Sequence, residues 1–180
     1  MRDTTISIAL TNLGQYNEGQ LNYTWVELPV TDQELKEHLE SIGVDGVRYE
    51  EYFISDYDCE LKNLVIGEYS NLKLLNEIAW ALEDLVDPEL RAFDLLLSYL
   101  GCEDNYEDAL EALNSKMEDI IVYEVDSLGD FGETWSNEVY GDVPEWLSRY
   151  VDWERFGQDL IDEMDCEYDD EYGIVVIFRT

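Results

Sequence analysis

An α+β fold is predicted for this chain, with a helical middle segment between two mixed sheet-and-helix segments. Three observations predict it. Strand-like segments lie near both ends, with alternating apolar residues in "TISIALTNL", then "YTWVELP", and with apolar runs in "DIIVYEV" and "EYGIVVIF" at the other end. Between them, apolar residues recur every three or four positions, as helices require. Of the 180 residues, 46% are hydrophobic and 13% aromatic, ample material for a core. The expected units are an N-terminal α+β unit (1–67), a helical unit (68–114) and a C-terminal α+β unit (115–180).

In order along the chain, the first strand is followed by "GQYNEG", read as a turn or short loop with Gly14 and Gly19 at its ends. The second strand stops at Pro29. "TDQELKEHLESIG" carries a capping box, Thr31 with Glu34, a stripe of Leu35, Leu39 and Ile42, and Gly43 as the stop. "EEYFISDYDCE" returns to strand. Leu72, Leu75, Ala79, Leu82 and Val86 space a helix, and Asp87-Pro88 opens another with Leu90, Phe93, Leu97 and Leu100. "NYEDALEALNSK" is a third. Beyond the strand "DIIVYEV", "DFGETWSNEVYG" reads as a helix and "VPEWLSRYVDWERFGQDLIDEM" as one helix or two, with Trp153, Phe156, Leu160 and Met164 on one stripe.

Charge dominates the composition: 44 acids against 10 bases, formally −34. The excess runs through the chain, with 13 acids and 3 bases in residues 1–60, 14 and 4 in 61–120, and 17 and 3 in 121–180. It argues against nucleic acid or an anionic membrane as partner and for a strongly basic one. No signal peptide and no membrane-length apolar run is present, so Cys59, Cys102 and Cys166 read as reduced and the protein as cytoplasmic.

Signatures of catalysis are missing, and no catalytic residue, cofactor or metal is expected. His38, the single histidine, sits beside a helix stripe. Asp56-x-Asp58-x-Glu60 and Asp165-x-Glu167-x-Asp169 begin like calcium loops, but neither has the Gly or the Glu such a loop needs at its sixth and twelfth positions. The alternating acids suggest a different use. On a strand, Asp56, Asp58 and Glu60 share a face at about 6.8 Å intervals; on a helix, Asp159, Asp162 and Glu163 lie about 5–6 Å apart. DNA carries one charge per about 1.7 Å of axis, so the net charge matches that of about 17 base pairs. A compact chain of this length is only about 40 Å across, and an elongated form would present such a density better.

Two segments carry a family resemblance. "TNLGQYNEGQLNYTWVELP" (11–29) resembles the N-terminal signature of ArdA-type antirestriction proteins, and "VPEWLSRYVDWERFGQDL" (143–160) resembles their C-terminal antirestriction segment. Tyr23 stands where the family often has Gly, Gln158 where Arg is common and Trp153 where Tyr is usual. The resemblance implies a DNA mimic carried on mobile elements. It would occupy the DNA-binding groove of Type I restriction–modification enzymes at their methyltransferase core, without being an enzyme itself, and would form an elongated homodimer. Glu50, Glu51, Asp56, Asp58, Glu60, Glu83, Asp84, Asp152, Asp159, Asp162 and Glu163 are the candidate phosphate mimics. Trp146, Leu147, Tyr150, Val151, Trp153 and Phe156 are the candidate dimer interface, being rich in aromatics of the kind interfaces favour. The rival reading is an acidic binding or immunity module for another basic nucleic-acid-binding protein.

Overall fold

Asn12 ends the first strand and turns the chain at once: its side chain accepts from Gln15 N at 2.9 Å and so caps a helix where a turn or short loop was expected. The computed structural model describes residues 6–178. Strands β1 (Ile6–Asn12), β2 (Tyr23–Leu28) and β3 (Tyr52–Cys59) form an antiparallel sheet in the order β2-β1-β3. The short helix α1 (Leu13–Asn17) joins β1 to β2, and α2 (Asp32–Ser41) lies between β2 and β3. The capping box forms as the sequence predicts: Thr31 N and Oγ1 donate to Glu34 Oε2, while Glu34 N donates back to Thr31 Oγ1. Gly43, at φ +80°, ends that helix in a conformation only glycine adopts freely.

Helices α3 (Leu72–Leu82), α4 (Asp87–Leu100) and α5 (Tyr106–Ser115) follow. Four of the five stripe residues of α3 are buried; Val86 lies past the helix end and is 60% exposed. A second antiparallel sheet, in the order β4-β6-β5, contains β4 (Ile120–Glu124), β5 (Cys166–Asp169) and β6 (Ile174–Phe178). Helices α6 (Leu128–Tyr140), α7 (Glu145–Ser148) and α8 (Trp153–Glu163) precede β5. The long segment expected as one helix or two is therefore two, parted at 149–152 where Asp152 caps α8 by accepting from Arg155 N.

Two compact units result, one of residues 1–85 with 96–114, the other of 86–95 with 115–180. The segment 68–114 is shared between them. In the first, Ile6, Ile8, Leu10, Val26 and Leu28 form the buried side of the sheet. In the second, Val125, Phe131, Leu160, Val175 and Ile177 are the core, with Phe156, Trp135 and Met164 packed against it.

Helices α6 and α8 meet backbone to backbone. A Cβ on Gly132 would come within 2.7 Å of the Trp153 carbonyl, and one on Gly157 would run into the carbonyl of Leu128. Glycine at both positions is what lets the two helices touch.

Candidate functional site

All eleven carboxylates expected to mimic phosphates are exposed. In the first unit, Glu50 and Glu51 lead into β3, while Asp56 and Asp58 project from one face of it, opposite Ala9 and Ser7 of β1. Glu60 lies just beyond the strand, and Glu83 and Asp84 follow α3 directly. In the second unit, Asp159, Asp162 and Glu163 lie on α8. Three of the eleven have local duties as well: Asp56 accepts from Tyr57 N at 2.9 Å, Asp152 caps that helix, and Asp162 accepts from Gln158 Nε2 at 3.0 Å.

With 44 acids to 10 bases, most carboxylates have no cation to pair with. Lys36–Glu40, Arg48–Glu18 and Lys73–Glu77 are ion pairs at 3.6, 3.8 and 3.7 Å, each largely exposed on both sides and therefore weak.

The acid-rich run from Asp162 to Gly173 is folded throughout. It contains the end of α8, all of β5 and a tight turn in which Asp169 Oδ1 accepts from Glu171 N and Tyr172 N. Strand β5 was not expected from the sequence. Its partial burial pushes the Glu167 carboxyl above its usual value. The Cys166 thiol is pushed up to about 11, chiefly by burial and further by Asp165 and Glu167. A turn that sequence reading also missed is organised by Asp45, whose carboxylate accepts from the N–H groups of Val47, Arg48 and Tyr49 and is held below its usual range by them. The Asp-Gly pair at 45–46 was the available signal.

The segment 143–160 clasps α6. Trp153 Nε1 donates to Ser148 Oγ at 3.0 Å, Ser148 Oγ donates to Glu133 Oε1 at 2.8 Å, and Gly129 N donates to Glu154 Oε2 at 2.8 Å. The six candidate interface residues therefore divide. Trp153 and Phe156 are half-buried against each other, with ring centroids 6.0 Å apart, and Val151 is half-buried too. Trp146, Leu147 and Tyr150 face solvent, at 65%, 40% and 80% exposure.

Among the described residues, no group of three or more His, Cys, Asp or Glu side chains is placed to hold a metal ion, and no helix is long and apolar enough to cross a membrane. His38 sits 3.5 Å from the Thr24 hydroxyl. No disulfide joins any of Cys59, Cys102 and Cys166. These features define an acidic α+β protein whose charged groups are spread over its surface rather than gathered in a cleft. The model of the ArdA antirestriction proteins matches residues 8–172, nearly the whole chain, and the protein belongs to that family. Its members are inhibitors of restriction rather than enzymes. No curated protein matches the sequence.

Proposed function

We propose that this antirestriction protein acts as a DNA mimic, occupying the DNA-binding groove of a Type I restriction–modification enzyme at its methyltransferase core. The observation that supports this best is the exposure of every nominated carboxylate in a chain whose acids outnumber its bases more than four to one. Basic groups that contact phosphates in the enzyme would meet carboxylates here. Since phosphate-type contacts carry no base sequence, inhibition should extend across enzymes of different DNA specificity. The exposed Trp146, Leu147 and Tyr150 favour a homodimer through that surface, which would double the charge offered to an enzyme with two DNA-binding halves.

Competition between this protein and duplex DNA for a Type I methyltransferase core tests the proposal. Displacement of DNA is expected, with affinity that falls steeply as salt rises, because exposed charges are screened over about 8 Å at physiological ionic strength. An affinity indifferent to salt would overturn it.

A further inference from the structure

The outer face of the N-terminal sheet carries more than charge. Register places Trp25 opposite Ala9 and Ala9 opposite Asp56; Thr11 lies opposite Tyr23, and Ser7 opposite Asp58. The middle row, Ser7, Ala9 and Thr11, is small. Tyr23 and Trp25 therefore stand along one edge of the face, with Glu27 beyond them opposite Ser7, and Asp56 and Asp58 stand along the other, with Phe53 opposite Thr11. Neighbouring strands lie about 4.8 Å apart, so the two rows are separated by roughly 10 Å. Helix α2 packs on the opposite face, as the Thr24–His38 contact shows; on this one Tyr16 of α1 packs against Phe53, opposite Thr11, and the flanking side chains bury Ala9 and Thr11. Trp25 and Tyr23 remain 44% and 50% exposed. Neither Asp56 nor Asp58 forms an ion pair among the described residues.

We propose that this face is a docking surface for arginine side chains of a protein partner, each guanidinium stacking on Trp25 or Tyr23 while it pairs with Asp56 or Asp58. The proposal deepens the reading given above and rests on its premise that the partner is a basic protein. Arginine fits both rows at once: its planar cation stacks on aromatic faces and bonds carboxylates in a fork. A lysine ammonium is more strongly hydrated and has no plane to stack. A second copy of the chain would set Asp56 and Asp58 against the same acids, and nucleic acid or anionic lipid would be repelled. Carboxylates alone would make affinity wholly dependent on salt; the aromatic row adds a part that salt does not screen.

The full chain would be titrated with deca-arginine and deca-lysine peptides across salt concentrations, and against DNA on a Type I methyltransferase core. The wild type should bind deca-arginine more tightly than deca-lysine. Trp25→Leu should weaken deca-arginine binding roughly two- to thirty-fold with little change in salt slope, while Trp25→Phe retains most of the affinity. Asp56→Asn with Asp58→Asn should flatten the slope for both peptides. Circular dichroism would establish that each variant is folded, and Trp146→Leu serves as an exposed tryptophan elsewhere. Deca-arginine binding unchanged in Trp25→Leu, or reduced equally in Trp146→Leu, would overturn the proposal, as would a Trp25→Leu variant that changes the sedimenting mass. If the Trp25 dependence holds for the peptide while the wild type leaves DNA on the enzyme, the arginine surface stands and the Type I reading falls.

Discussion

In the N-terminal sheet the central strand β1 is buried at every residue but Ser7, while the edge strands beside it hold Tyr23, Trp25, Asp56 and Asp58, all exposed. In the C-terminal sheet the central strand β6 is buried at every residue, and β5 beside it is partly covered along its length. Both regions belong to thirds of the chain with a more than fourfold excess of acid, yet the carboxylates settle differently. The exposed edge strand β3 carries Asp56 and Asp58 directly. The covered sheet cannot do so cheaply, and the raised Glu167 and Cys166 titrations record the cost of burial next to charge. There the nominated acids sit on the helix outside it, at Asp159, Asp162 and Glu163.

The strongest way to break this contrast is to pry apart α6 and α8, the helices beside the covered sheet. Gly157→Ala pushes a methyl group into the Leu128 carbonyl and should destabilise the second unit by about 1–3 kcal/mol or more. Thermal unfolding would read it, and a melting temperature within a degree of wild type would mean the α6–α8 contact is looser than described. Next in size, Trp146→Ala with Tyr150→Ala removes exposed aromatic surface only. Dimerisation should weaken by about 2 kcal/mol or more if these are anchors, with unchanged melting temperature. Sedimentation checks it, and because two acidic chains repel, the wild-type dimer should tighten as salt rises. A wild type that is monomeric at micromolar concentration in both low and high salt would remove the dimer.

Smaller effects are expected from charge. Neutralising Asp56 and Asp58, or separately Asp159, Asp162 and Glu163, should each weaken enzyme binding modestly, by about 0.2–1 kcal/mol per group, with competition against DNA as the measurement. Loss of all inhibition from one such change in a folded protein would point to a discrete site. The smallest expected effect is on Cys166. With its thiol raised to about 11, the native protein holds it neutral. Alkylation at pH 8 should be slow, since only about one thiol in a thousand is thiolate there. The sign for stability follows: the contribution is complete below the ordinary thiol range and is lost as pH rises through about 11. Fast labelling of Cys166 at pH 8 would show that β5 opens readily.

Much of the local architecture was legible in the sequence because it rests on neighbours within four residues. Thr31 and Glu34 cap each other whatever lies beyond them, and the apolar stripe of α3 needs only the helical repeat. The net charge was equally legible, being a sum over residues. The alternation in "YTWVEL" put Tyr23 and Trp25 on one face, but only tertiary packing decided that α2 would cover the other and leave the aromatics in water. The same holds for "CEYD", too short and too acidic to read as a strand, which becomes β5 through its pairing with the apolar β6 and the packing of Cys166 and Tyr168 on the core. In α4 the spacing indicated one stripe, whereas Ala92 to Leu97 are all buried, Asp94 included. Similarly, the aromatics of 143–160 read as one surface until Ser148 and Glu133 drew Trp153 inward and left Trp146 and Tyr150 outside. Periodicity determines which residues share a side of an element; what covers that side is set by segments distant along the chain, and local sequence carries no term for them.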